Sequence, residues 1–111
     1  MKISRTQQDD VVIIRLEGDV MGGPEASRLH EEVNSLLDQE SMKAILDLSE
    51  VKRMNSSGLG ILINANTTFR QNGGRLVLAG LTPLVQNLLT ITRLNTVFES
   101  YESVEAAVNA F

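Results

Sequence analysis

The chain has 111 residues, of which 42% are hydrophobic and 22% charged, a composition typical of one globular domain spanning residues 1–111. Its net charge of −4 argues against nucleic-acid binding, which depends on a concentrated basic surface, and the absence of cysteine excludes disulfides and thiolate zinc sites. No apolar run reaches the roughly 18 residues that span a bilayer, and no secretory signal is recognisable. We therefore expect a cytoplasmic protein without a membrane span.

The first third of the chain predicts a hairpin followed by a helix. Residues 10–18 are rich in β-branched side chains and end in glycine, which indicates a strand, and residues 2–6 precede it as the other arm of a hairpin. Two glycines and a proline at residues 22–24 then favour a turn into a helix. Apolar residues recur at helical spacing from there to about Gln39, which predicts an amphipathic helix.

A strand, a helix and a strand follow. Residues 43–49 form a short apolar run, and the sequence EVKRM after it is irregular. Apolar residues at helical spacing from Leu59 to Phe69 predict a helix that ends at the glycines of residues 73 and 74. Residues 75–80 are continuously apolar after Arg75, as in a strand buried on both faces. Such a βαβ unit predicts two parallel strands with a right-handed crossover.

The remaining residues predict two helices and one strand. Thr82 can cap a helix with Pro83 in its first turn, residues 96–101 favour an edge strand, and Ser103 can cap a short last helix. The whole chain thus predicts a single small α/β domain, with a mixed sheet of about five strands and helices packed mainly on one face.

The stretch RMNSSGLG, residues 53–60, stands between the predicted strand and helix of the βαβ unit. Ser56 or Ser57 can serve as the helix N-cap, and capping alone is a sufficient reason for two serines there. The same position also suits a negatively charged modification, because unpaired N–H groups and the positive end of the helix dipole lie there. Gly58 and Gly60 carry no side chain that would obstruct a partner protein.

The segment AILDLSEVKRMNSSGLGIL, residues 44–62, resembles the signature of STAS domains, the family of bacterial anti-sigma factor antagonists. The segments VVIIRLEG, NGGRLVLAGLTPLVQNLL and TVFESYESVEAAV are similar to the corresponding parts of that family, so the resemblance covers nearly the whole chain. Two positions depart from the family pattern. Asn55 stands where the family usually has aspartate, and Met21 stands where many antagonists have a second aspartate.

The resemblance implies an antagonist that binds an anti-sigma factor, itself a serine kinase, and thereby releases the sigma factor. It also implies that phosphorylation of Ser56 switches this binding off and that a serine phosphatase restores it. The protein would be a monomer or weak dimer without catalytic activity, cofactor or metal; His30, the only histidine, has no recognisable catalytic partners. The expected partner contacts are Met21, Gly22, Gly23, Met54, Asn55, Ser57, Gly58, Leu59, Leu81 and Thr82.

Two alternatives stay open at this point. Asn55 and Met21 favour a STAS scaffold subunit that is never phosphorylated and belongs to a larger stress-signalling or lipid-transport assembly. A small-molecule or nucleotide-binding domain or enzyme would instead require a pocket of convergent polar groups, for which the sequence offers little.

Overall fold

The computed structural model describes residues 1–111 and shows one five-stranded sheet with four helices. The elements in chain order are β1 (Lys2–Gln8), β2 (Val11–Val20), α1 (Pro24–Asp38), β3 (Lys43–Met54), α2 (Ser56–Gln71), β4 (Arg75–Ala79), α3 (Pro83–Ile91), β5 (Ser100–Tyr101) and α4 (Val104–Asn109). The strands lie in sequence order; β1 is antiparallel to β2, and the other neighbouring pairs are parallel. The predicted mixed sheet is thus confirmed. None of the helices has the length and apolar character needed to cross a membrane.

The helices divide unequally between the two faces of the sheet. Helices α1, α2 and α3 pack on one face and build the larger core, in which Leu29, Phe69 and Leu89 are almost completely buried. Helix α4 covers part of the other face, where Ala107 packs against Ile45 and Val77. This arrangement confirms the prediction of helices mainly on one face.

The position of β3, with helices on both faces of the sheet, explains the continuous apolar run at the start of its sequence. Leu46 and Leu48 point into the larger core, whereas Ile45 belongs to the smaller core under α4. Because alternate side chains of a strand point to opposite faces, a strand with helices on both sides needs apolar residues at successive positions. The same pattern recurs in β4, where Leu78 and Val77 belong to different cores.

The end of β3 differs from the prediction. Residues 50–54, which the sequence suggests are irregular, continue the strand and pair with the end of β2, so that Val20 lies opposite Met54. Two register shifts interrupt the β2–β3 ladder, and they disturb the regular alternation of apolar and polar residues that marks a strand. Val51 and Met54 are the buried residues of this extension.

The last strand is shorter than predicted. Only Ser100 and Tyr101 of the predicted residues 96–101 pair with β4. The amides of Val97 and Phe98 instead donate hydrogen bonds to the carbonyl of Leu94, and the Phe98 side chain packs into the larger core. Residues 96–98 therefore form a turn that buries the Phe98 side chain, and they do not extend the edge strand.

Asp47 is a buried carboxylate at the first register shift of β3. Its side chain is only 4% exposed; Oδ1 accepts hydrogen bonds from the Ser49 amide and hydroxyl, and Oδ2 accepts one from Arg15 Nε at 3.1 Å. Burial raises the pKa of Asp47, but the hydrogen bonds from Ser49 and Arg15 outweigh this effect and hold the pKa below its ordinary value. Asp47 thus helps to hold together the irregular part of β3.

Candidate functional site

The carboxyl ends of β2 and β3 place two connecting segments next to each other. Val20 and Met54 are paired at the ends of these strands. The turn of residues 21–23 leaves β2 and leads into α1, and Asn55 connects β3 to α2. Since parallel strands present their carboxyl ends at the same edge of a sheet, the turn and the amino end of α2 form one continuous surface.

Two glycines allow α2 to approach the end of β2 closely. A Cβ atom on Gly58 would lie 1.8 Å from the carbonyl oxygen of Val20, and one on Gly22 would lie 2.8 Å from Cβ of Ser57. Gly22 also has a φ of +98°, a backbone conformation that favours glycine. The turn after β2 therefore packs directly against the first turn of α2.

Asn55, rather than either serine, caps α2. Its side-chain oxygen accepts a hydrogen bond of 2.8 Å from the Gly58 amide, and its carbonyl accepts one from the Leu59 amide. The prediction that Ser56 or Ser57 is the N-cap is wrong, because both residues lie inside the helix as its first two residues. Asparagine and aspartate are both good N-caps, so Asn55 fills the structural role of the aspartate that the family signature has here.

The hydroxyl groups of Ser56 and Ser57 are consequently not used for capping. Both residues are exposed, and Ser56 lies at the amino end of the helix dipole. Met21, in the turn that packs against the start of α2, is 42% exposed. We define the switch surface as the exposed or half-exposed residues Met21, Gly22, Gly23, Asn55, Ser56, Ser57 and Gly60.

Three charged side chains close in the sequence to the switch surface are paired. Arg53 donates two hydrogen bonds to the carboxylate of Asp19, of 3.2 and 2.7 Å, and these bonds lower the pKa of Asp19. Glu25 accepts a hydrogen bond from the Met21 amide and another from the α-amino group of Met1. The charges of Asp19, Arg53 and Glu25 are therefore all paired.

Several predicted contact residues lie elsewhere. Met54 and Leu59 are buried in the larger core, and Gly58 is buried against Val20. They support the switch surface from below and contribute little to the exposed surface. The idea that Gly58 leaves room for a partner is therefore wrong.

The predicted contacts Leu81 and Thr82 do not adjoin the switch surface along the sheet edge. Strand β4 ends at Ala79, opposite Asp47, and Gly80 lies beside Ser49, well before β3 ends. Leu81 packs against the larger core and Thr82 caps α3 through the Val85 amide. Because β3 extends beyond its pairing with β4, the segment of Leu81 and Thr82 leaves the sheet before β3 ends.

Gly60 belongs to the switch surface although it is missing from the predicted contacts. It is exposed, and a Cβ atom there would meet nothing within 4 Å. Its spacing in the sequence could have indicated this: residues four apart lie on the same helix face, so Gly60 lies on the same face of α2 as Ser56. No group of three or more His, Cys, Asp or Glu side chains is arranged to hold a metal ion.

Known proteins resemble this chain in both sequence and fold. The protein BtrV of Bordetella bronchiseptica, which is named as an anti-sigma factor antagonist, is 31% identical over 111 residues that cover 100% of this chain and 95% of BtrV. The crystal structure of an anti-sigma factor antagonist from Mycobacterium paratuberculosis superposes with a TM-score of 0.83 at 20% identity, covering 98% of this chain and 92% of that one.

The phosphorylated form of the Bacillus cell fate determinant SpoIIAA has the same fold. It superposes with a TM-score of 0.73 at 17% identity, and the match covers 99% of this chain and 100% of SpoIIAA. A family model of the STAS domain matches residues 2–107. Because this model matches almost the whole chain, and because the alignment with BtrV covers 95% of that protein, the chain belongs to the STAS domain family.

Proposed function

We propose that this protein is an anti-sigma factor antagonist whose partner binding is switched off by phosphorylation of Ser56. The proposal is supported by the similarity to BtrV, an antagonist by name, and by the fold shared with SpoIIAA, a protein known in a phosphorylated form. The partner would be an anti-sigma factor that is also a serine kinase, with a serine phosphatase reversing the modification. In this function the protein itself performs no catalysis.

The observation that carries the proposal is the exposed Ser56 hydroxyl on an uncharged surface. Asn55 satisfies the helix cap, so Ser56 can be modified without loss of a structural hydrogen bond. A phosphoryl group would add a charge of about −1.5 to −2. With the nearby Asp19–Arg53 and Glu25 charges already paired, that charge would be the dominant one on the switch surface.

The physical basis of the switch is the difference between a hydroxyl and a dianion at the centre of an interface. The unmodified switch surface offers small side chains and one flexible thioether, Met21, which suit close packing. A phosphate there would have to lose its hydration on binding, and burying an unpaired charge is costly. The helix dipole partly compensates the phosphate in the free protein, so the fold tolerates a modification that the complex does not.

The first experiment tests the phosphoacceptor. The protein is incubated with a cognate anti-sigma factor kinase and ATP, and intact-mass and peptide analysis should find one phosphate on Ser56. The Ser56→Ala variant should remain unmodified, whereas Ser57→Ala should be modified normally; alanine keeps the Cβ atom that lies close to Gly22. A kinase that binds the protein but transfers phosphate to Ser57, or to no residue, would contradict the proposal.

The second experiment tests the effect of charge on binding. Ser56→Asp should weaken partner binding at least about tenfold, equivalent to ~1.4 kcal/mol, and leave the melting temperature nearly unchanged because Ser56 is exposed at a helix amino end. Ser56→Asn is the matched uncharged control and should bind within a few-fold of the unmodified protein. Equal binding by all three proteins would contradict a charge switch.

A constitutive scaffold subunit remains the second candidate function. The specific observation in its favour is that Asn55 places an amide, and no carboxylate, beside Ser56. On this hypothesis the same surface binds a partner permanently and Ser56 is never phosphorylated. The kinase assay separates the two functions, and light scattering of the purified protein tests the predicted monomer or weak dimer.

A further inference from the structure

A cleft lies between α2, the start of β4 and the segment before β5. It has a volume of about 470 Å³, within the range of roughly 300–1,000 Å³ that is usual for small-molecule sites. Its polar lining residues are Asn66 and Arg70 of α2, Arg75 of β4, and Thr96 and Glu99. The cleft shares no residue with the switch surface.

Asn66 is the unusual residue of this cleft. It is only 5% exposed and lies on the inner side of α2, where its neighbours Ala65 and Phe69 belong to the larger core. Its side-chain amide forms no hydrogen bond within the chain and lines the cleft. The amide is therefore available to form hydrogen bonds with a molecule that enters the cleft.

The two arginines of the cleft differ in their charge balance. Arg75 is fully engaged: Nε and Nη2 donate to Glu99, Nη1 donates to the carbonyl of Ala110, and the guanidinium stacks on the Phe111 ring. Arg70, one turn beyond Asn66 on the same helix, forms no ion pair. The cleft therefore carries one uncompensated positive charge in a protein whose net charge is −4.

We propose that this cleft binds a small organic anion. Arg70 would pair with a carboxylate or phosphate group, which a guanidinium can bind in a bidentate manner, and the Asn66 amide and Thr96 hydroxyl would hydrogen-bond to the polar atoms next to it. Arg75 would act as a rigid wall, since its donors are held by Glu99 and Ala110.

The proposed ligand would connect three parts of the fold. Asn66 and Arg70 belong to α2, Thr96 precedes β5, and Gly74 leads into β4. Ser56 lies at the opposite end of α2, a helix of 16 residues and therefore about 24 Å long. The cleft is a site separate from the switch surface, and the proposal does not depend on phosphorylation of Ser56.

The test is a titration of the ¹⁵N-labelled full chain with citrate and, separately, with inorganic phosphate, followed by NMR. Saturable shifts are expected for the Asn66 side-chain amide and for the backbone amides of Arg70, Gly74 and Thr96. Saturation by citrate alone would identify a carboxylate site, and saturation by phosphate a phosphate site. Glycerol, a neutral probe of similar polarity, should leave these signals unchanged.

Two variants and a control decide the outcome. Arg70→Gln removes the charge from an exposed helix position and should weaken anion binding at least tenfold, as should Asn66→Leu. Lys52→Gln removes an exposed charge outside the cleft and should bind as the unmodified protein does. Shifts that do not saturate, that persist in Arg70→Gln, or that spread equally over Arg28 and Arg53 would overturn the proposal.

Discussion

At the scale of single residues, two glycines that look equivalent in the sequence have opposite roles. Gly58 and Gly60 both belong to the first turns of α2. The first lies against the carbonyl of Val20 and the second faces open space. Local chemistry cannot separate them, because the difference depends on which side of the helix faces the end of β2.

The contrast between these glycines gives the first stability prediction. Gly58→Ala should lower the free energy of unfolding by about 3 kcal/mol, since its Cβ atom would overlap the backbone of β2. Gly60→Ala should raise it by roughly 0.5–1 kcal/mol, because alanine replaces glycine at an exposed helix position. Urea unfolding of both variants measures the effect, and a Gly58→Ala protein as stable as the original would contradict the close packing.

Asn55 shows how a departure from a family pattern can preserve structure and change chemistry. Its side chain caps α2 as an aspartate would, so asparagine is compatible with the fold at this position. What is lost is a negative charge beside Ser56. For this reason we expect Asn55 to affect phosphoryl transfer or partner choice and to have little influence on the stability of α2.

At the scale of elements, β3 determines the geometry of the site. Its extension to Met54 carries the amino end of α2 beyond the end of β4 and places it beside the turn after β2. The extension was not predictable from its sequence, in which Glu50, Lys52 and Arg53 separate the buried residues. Pairing with β2 supplies hydrogen bonds that no pattern of hydrophobicity reveals.

Asp47, at the irregular part of β3, gives a pH-dependent prediction. A carboxyl whose pKa is lower in the folded state stabilises the fold above its unfolded pKa, near 3.9, and this contribution is lost as the pH falls through the folded pKa. Asp47→Asn should therefore be about 1–2 kcal/mol less stable than the original protein at pH 7. The difference should shrink as the pH falls below about 4.

Urea unfolding at a series of pH values measures this difference. Glu31→Gln is the matched control, because Glu31 is an exposed carboxylate that forms no ion pair in the structure. It should follow the original protein at every pH within about 0.5 kcal/mol. A difference between Asp47→Asn and the original that stays constant from pH 7 to pH 3 would show that the charge of Asp47 does not contribute.

At the scale of the whole molecule, the sheet separates two cores of unequal size. The larger core under α1, α2 and α3 holds the switch surface in place, because Val20, Met54 and Leu59 all belong to it. The smaller core under α4 contains Val11, Ile45, Val77, Ala79 and Ala107. Changes in the smaller core should therefore affect stability more than partner binding.

Two neighbouring alanines of α4 test this division. Ala107→Leu should destabilise the protein by about 1–3 kcal/mol, because Ala107 is completely buried against the sheet and a larger side chain would overpack that site. Ala106→Leu, at an exposed position, should change stability by less than about 0.5 kcal/mol. Thermal unfolding checks both values. Partner affinity should be unchanged in both variants when measured well below their melting temperatures.

The sequence by itself determined the α/β class, the order of the main elements and the family. Its β-branched runs, its helical periodicities and its glycine and proline signals are local, and local patterns reflect which face of each element is buried. The segment of residues 44–62 added the likeness to STAS domains, which the matching family model confirms.

Only the tertiary structure decided which of the predicted contact residues are exposed and which are buried. It assigned the helix cap to Asn55, buried Met54, Gly58 and Leu59, and packed Leu81 against the larger core. These outcomes depend on the unequal lengths of β3 and β4 and on the approach of α2 to the end of β2. Contacts between segments far apart in the chain set both features, and no local pattern in the sequence records such contacts.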